Sequence, residues 1–140
     1  MEVGELIEQA RLRALLEGLE AELASLKGLP VQEARARLLE IKKRRSELLK
    51  SMKPLAVEEA LTRGVKVERC LELLKESKAR ADIVERLRSK YREEAGKLRR
   101  VIEEWSATLS KALAQARGDE RRVLERLASQ ASSWLSHVGP

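Results

Sequence analysis

The chain has 140 residues, of which 37% are charged and only 2% aromatic, and its formal net charge is +6. Ordinary globular proteins contain about 25% charged residues, and this chain has no phenylalanine at all. The composition therefore excludes a thick aromatic core and is typical of long helices packed along narrow seams. The absence of asparagine and the abundance of ion-pairing residues resemble the composition of proteins from heat-adapted organisms.

The sequence also restricts the cellular compartment and the classes of binding partner that we expect. Cys70 is the single cysteine and has no partner for an internal disulfide. The first residues lack the apolar core of a signal peptide, and no apolar run approaches the roughly 20 residues of a membrane span. These features predict a cytoplasmic protein. The basic charge permits an acidic partner such as nucleic acid but does not require one.

Glycine and proline divide the chain into five predicted helices. Gly28 and Pro30 separate the first two, Pro54 and Gly64 enclose a short third, and Gly118 precedes the last. No stretch alternates apolar and polar residues over the length of a strand. The sequence thus predicts a single all-α domain over residues 1–140. Its helices cover about residues 4–27, 30–52, 55–63, 66–117 and 119–136.

The fourth predicted helix carries the strongest pattern. Alternating steps of three and four residues from Val67 to Ala116 meet apolar side chains at about 13 of 15 positions, where chance predicts about 6 or 7. At about 1.5 Å per residue, such a helix is roughly 75 Å long. This predicts an elongated antiparallel hairpin or coiled-coil bundle with one very long helix. Two paths remain open: the segment Gly28 to Pro30 reverses the chain or only kinks it.

The apolar rows of the second and fourth helices define a candidate packing interface. These seams are narrow and rich in alanine, so a second chain would add the most burial. The sequence therefore predicts self-association, with a dimer favoured, or binding to another helical protein. The candidate interface residues are Leu38, Ile41, Leu48, Leu74, Val84, Leu98, Ile102, Trp105 and Leu109.

The stretch LLEIKKRRSELL, residues 38–49, places four basic residues in succession. From Leu29 to Lys53 there are eight basic side chains against three acidic ones. One reading is a face for nucleic-acid phosphates, and the other is a helix matched by the acidic first helix. A second basic cluster lies near residue 100. The candidate nucleic-acid contacts are Lys42, Lys43, Arg44, Lys97, Arg99 and Arg100.

The remaining motifs are weak. Residues 57–74 have the small residues of a helix-turn-helix, but a tight turn between two helices explains the same letters. The one histidine, His137, lies near the C-terminus, and Cys70 falls on an apolar seam. No Glu-x-x-His pair, Cys-x-x-Cys pair or glycine-rich phosphate loop occurs. The sequence therefore predicts no enzyme, no cofactor, no metal and no small-molecule substrate.

The last predicted helix is amphipathic and begins after Gly118. We expect it to fold back on the other helices, and its small apolar face argues against membrane binding. Together these observations favour a non-catalytic coiled-coil scaffold or adaptor. The alternative function is sequence-nonspecific binding of nucleic acid through basic helical faces.

Overall fold

The structure, a computed structural model, describes residues 1–138 and is all-helical over that range. It contains α1 (Val3–Ala24), α2 (Val31–Ser51), α3 (Ala56–Lys75), α4 (Ala81–Gln115) and α5 (Asp119–Val138), and residues 1–138 include no strand. The predicted all-α class is therefore confirmed.

The helices form two compact units. Unit 1 consists of residues 1–53 together with residues 111–125. Unit 2 consists of residues 54–110 together with the segment that follows residue 125. In unit 1 the buried apolar side chains are Leu6, Ala10, Leu12, Leu19, Ile41, Ala112, Ala116, Val123 and Leu124. In unit 2 they are Leu55, Val57, Ala60, Leu61, Val67, Ala95, Ile102, Leu109, Leu127, Ala131 and Trp134.

The loop between α1 and α2 reverses the chain. Gly28 has a φ of 86°, the left-handed conformation that ends many helices and that glycine adopts without strain. Beyond it, Arg44 on α2 pairs with Glu22 on α1 at 2.8 Å, and Gln9 near the start of α1 donates to the carbonyl of Ser51 at 3.3 Å. These contacts require antiparallel helices. Of the two paths that the sequence left open, the reversal is the one observed.

A buried polar cluster joins α1 to the end of α2. The Lys53 backbone N–H donates to Gln9 Oε1 at 2.8 Å, and the Arg13 guanidinium donates to the Lys53 carbonyl at 2.8 Å. Arg13 also donates to Gln9 Oε1 at 3.1 Å. Both side chains are buried, with 5% of Gln9 and 9% of Arg13 exposed. Because these polar groups satisfy one another, they hold the chain where it leaves α2.

The predicted end of a helix at Gly64 is wrong. The third helix was expected over residues 55–63, but α3 runs without interruption from Ala56 to Lys75. Gly64 is buried inside it, and a Cβ built on Gly64 would lie 2.6 Å from Trp134 Nε1 on α5. The glycine therefore permits two helices to approach closely and does not end a helix.

The predicted continuous helix over residues 66–117 is also wrong, because residues 76–80 divide it into α3 and α4. The last turn of α3 tightens: Glu76 N–H donates to the Leu73 carbonyl at 3.2 Å and Ser77 N–H to the Leu74 carbonyl at 3.3 Å. Ser77 Oγ then accepts from the Ala79 N–H at 3.2 Å. A serine that bonds nearby backbone in this way competes with the helix. The longest helix in the described range has 35 residues.

Candidate interaction surfaces

Helices α3 and α4 form an antiparallel hairpin in unit 2. Arg63 on α3 pairs with Glu94 on α4, with one of its two hydrogen bonds at 3.1 Å. Closer to the turn, Cys70 on α3 lies beside Tyr91 on α4. We call residues 68–94 the α3–α4 tip. The structure describes all of these residues, and none of them is buried.

The α3–α4 tip exposes large apolar side chains. Leu73 is 62% exposed, Ile83 42% and Leu87 36%, whereas Leu74 and Val84 are half-buried. Ile83 and Leu87 lie one turn apart on α4. At 100° per residue, measured from the half-buried positions, Leu73 on α3 falls on the same side of the antiparallel hairpin as this pair. The tip therefore carries an uncovered apolar face made by both helices.

Helix α2 is the second unusually exposed element. Its one buried residue is Ile41, and Val31 and Leu39 are 73% and 64% exposed. Arg37 pairs with Glu33 at 3.1 Å. Other basic residues of this helix have no ion pair with any residue that the structure describes. These are Arg35, Lys42, Lys43, Arg45 and Lys50.

The predicted nucleic-acid contacts divide into two groups. Arg44, Lys97 and Arg99 are held by carboxylates: Arg44 by Glu22 and Glu40, Lys97 by Glu93 at 3.9 Å and Arg99 by Glu103 at 2.8 Å. Lys42, Lys43 and Arg100 are exposed and have no ion pair among residues 1–138. The first cluster, on α2, belongs to unit 1, and the second, at residues 97–100, belongs to unit 2.

The predicted packing residues range from buried to half-buried. Ile41, Ile102 and Leu109 are at most 4% exposed. The others are half-buried: Leu38, Leu48, Leu74, Val84, Leu98 and Trp105. Other residues of the heptad row are buried as well: Ala95 and Ala112 on α4, and Ala116 directly after it. The same row toward the start of α4 lies in the α3–α4 tip, where Val84, Arg88 and Tyr91 are only half-buried.

A groove of about 570 Å³ lies between α3 and α5 in unit 2. Leu61 and Val65 on α3 and Leu127 and Trp134 on α5 supply its apolar lining. Trp134 is 4% exposed, and its indole N–H has no hydrogen-bond partner in the described part of the chain. The indole edge packs on Gly64 at the closed side, so the N–H belongs to the contact between the helices.

Three contacts between titratable side chains lie along that groove and the α3–α4 hairpin. His137 Nε2 lies 3.2 Å from Glu68 Oε1. The hydrogen bond from Arg63 lowers the pKa of Glu94 below its ordinary value. Hydrogen bonding with the Cys70 thiol raises the pKa of Tyr91 above its ordinary value. These interactions join neighbouring helices and do not gather nucleophile, base and acid at one place.

The described residues include neither a candidate metal site nor a membrane-spanning helix. Among residues 1–138, no three His, Cys, Asp or Glu side chains lie close enough together to hold a metal ion. No helix in that range combines the length and the apolar content needed to cross a lipid bilayer.

Sequence reasoning missed three features. The Gln9–Arg13 cluster gives only a faint signal, two polar residues four apart within a leucine row. The unpaired bases of α2 had a usable signal, because a helical projection separates them from the acids. The uncovered tip had a faint signal, because the two polar positions of the heptad row, Ser77 and Arg88, fall in it without showing which apolar residues are exposed.

The comparisons with known proteins found no likeness. No protein-family description matches the chain, no curated protein resembles it in sequence, and no solved structure matches its fold.

Proposed function

We propose that this chain is a non-catalytic assembly protein that self-associates by packing its α3–α4 tip against the tip of a second copy. The observation that carries the proposal is the uncovered tip: no residue from 68 to 94 is buried, although Leu73, Ile83 and Leu87 are apolar and exposed. Two hairpins brought face to face would make four helices around a shared apolar centre, the arrangement of a small antiparallel bundle.

The charge pattern of the tip supports a partner of the same kind. Residues 68–94 contain eight basic and seven acidic side chains, so the surface is nearly neutral. A nearly neutral surface neither repels its own copy nor attracts a strongly acidic or basic one. Acidic and basic side chains occur on both helices, and such a composition allows ion pairs at the edge of a helical interface.

The exposed area sets the strength of the proposed contact. The exposed fractions of Leu73, Ile83 and Leu87 are 62%, 42% and 36%. Covering them equals burying roughly one and a half large apolar side chains, or about 2–4 kcal/mol per chain and about 4–8 kcal/mol per symmetric pair. Lost translational and rotational freedom opposes association by about 4–15 kcal/mol. These terms are similar in size, so we expect a weak dimer with a Kd no tighter than micromolar.

The test is the mass of the protein in solution over a range of concentrations. Sedimentation equilibrium from micromolar to millimolar protein should show mass rising toward that of a dimer. The variant Leu73→Gln/Leu87→Gln should remain monomeric, because it makes the proposed contact polar. Its matched control is Leu39→Gln/Leu49→Gln, which changes two similarly exposed leucines on α2, 64% and 42% exposed, and should associate like the parent.

Circular dichroism separates loss of assembly from loss of folding. All four leucines are exposed, so both double variants should keep the helicity of the parent. A parent that stays monomeric to millimolar concentration contradicts the proposal. So does an equal loss of association in both variants, because the contact would then not reside in the tip.

A further inference from the structure

The acidic side chains of α2 lie along one side of the helix. Glu33, Glu40 and Glu47 recur every seven residues and so lie along one side. Arg37 and Arg44, which flank that row, pair with Glu33 at 3.1 Å and with Glu22 of α1 at 2.8 Å. These two arginines therefore serve to hold neighbouring carboxylates.

A second set of basic residues lies on the rest of the exposed surface. Arg35 and Lys42 each follow an acid by two residues, which places them about 200° from the acidic row. Lys43 and Lys50 lie between that position and the row. All four side chains are exposed, and none forms an ion pair with another residue of the described range. We call Arg35, Lys42, Lys43 and Lys50 the basic stripe.

The basic stripe is long and covers about 100° of the helix surface. Members seven residues apart are about 10 Å apart along the axis, and the stripe extends over about 22 Å from Arg35 to Lys50. Glu47 lies beside Lys43 and Lys50 at helical spacing and partly offsets them. The stripe therefore presents between three and four effective positive charges along one helix face.

The pattern of apolar residues decides among anionic partners. Val31, Leu39 and Leu49 are exposed on the same face, but spacings of eight and ten residues do not make the continuous row that a partner helix needs. A membrane-surface helix separates its apolar residues from its cations, whereas here the two are mixed. A phosphate backbone needs cations at intervals and no apolar row.

We propose that the basic stripe of α2 docks along the phosphate backbone of duplex nucleic acid. This contact lies in unit 1 and is separate from the self-association proposed for the tip in unit 2. Positively charged side chains displace counterions from the duplex, and the released ions drive binding. Contacts to phosphate carry no base sequence, so the binding is independent of sequence.

Salt dependence gives the quantitative test. Three to four displaced counterions predict that log K falls against log salt with a slope of about −3. Between 50 mM and 200 mM salt, affinity should then fall about 60-fold. Fluorescence anisotropy with a labelled 20-base-pair DNA duplex of random sequence measures both quantities.

Two matched variants locate the contact. Arg35→Gln/Lys42→Gln removes two stripe cations that have no ion pair, and Arg37→Gln/Arg44→Gln removes two paired cations with the same spacing on the same helix. Both lower the net charge by two. The first should weaken duplex binding at least tenfold at 50 mM salt and reduce the slope to about −1. The second should leave the slope near that of the parent.

Three results would overturn the proposal. One is absence of duplex binding by the parent at 50 mM salt. Another is an equal loss in both variants, which would mean that net charge alone matters. The third is stripe-dependent binding to vesicles containing phosphatidylserine with none to the duplex, which would assign the stripe to a membrane surface. Equal helicity of the parent and both variants by circular dichroism is required for each comparison.

Discussion

Replacing Gly64 by alanine tests the close contact between α3 and α5. The new Cβ would lie 2.6 Å from Trp134 Nε1 and 2.8 Å from Trp134 Cε2, while ordinary van der Waals contact begins at 3.4 Å. The helices or the ring must therefore shift by roughly 0.6–0.8 Å to relieve the overlap. Trp134 is only 4% exposed, so its ring is packed against neighbouring side chains.

Two opposing effects set the size of the change. Overpacking a well-filled contact destabilises proteins by about 1–3 kcal/mol. Alanine is favoured over glycine inside a helix by about 0.5–1 kcal/mol. The net result for Gly64→Ala is a loss of about 0.5–2 kcal/mol of unfolding free energy. For a chain of this size, that loss lowers the melting temperature by roughly 2–8 °C.

Thermal and urea denaturation followed by circular dichroism measure this loss. Gly96→Ala is the matched control, because Gly96 lies inside α4 and a Cβ there meets nothing within 4 Å. The control should gain about 0.5–1 kcal/mol. In a Trp134→Leu background the overlap is removed, and Gly64→Ala should no longer destabilise. If Gly64→Ala is as stable as the parent, the contact between α3 and the indole is not as described.

Two further substitutions test the polar contacts. Gln9→Ala removes the acceptor of the Lys53 N–H and should lower the unfolding free energy by about 1–3 kcal/mol. The exposed Gln32→Ala should change urea denaturation by less than about 0.5 kcal/mol, and equal losses would contradict the importance of the cluster. The Arg63 hydrogen bond lowers the pKa of Glu94, so its stabilisation is present above pH 4.5, the ordinary value, and is lost as pH falls through the lowered pKa. Glu94→Gln should therefore show a smaller loss of stability on acidification than the parent, and an unchanged pH profile in urea titrations would refute this assignment.

Part of the fold follows from local chemistry. Gly28 was expected to separate the first two helices, and its φ of 86° is the left-handed conformation in which many helices end. The heptad row in the later part of α4 coincides with buried positions, including Ile102 and Leu109. Both features depend on residues close in sequence, namely a glycine with no Cβ and a helix period repeated over many turns.

The errors arise where distant residues decide the structure. The role of Gly64 depends on Trp134, which is 70 residues later in the sequence. The break after α3 depends on Ser77, whose side chain bonds the backbone at a point where the apolar row is weakest. The spacing of apolar residues continues in register across that break. Periodicity alone therefore predicts one helix where the structure has α3 and α4.

The candidate surfaces also combine features that nearby residues determine with features that the fold determines. The basic run on α2 was visible in the sequence, but the pairing of Arg44 with Glu22 on α1 requires the reversal at Gly28. Lys42, Lys43 and Arg45 are the members of the run that have no ion pair among the described residues. The exposed Leu73 and Leu87 are indistinguishable by letter from buried leucines, so only the fold identifies them.

The composition of unit 1 has a consequence for how the chain folds during synthesis. This unit begins with residues 1–53, yet its buried residues include Ala112, Ala116, Val123 and Leu124. At a synthesis rate of about 5–20 residues per second, the first hairpin emerges several seconds before these residues do. Residues 1–53 therefore leave the ribosome before the later residues that complete their core.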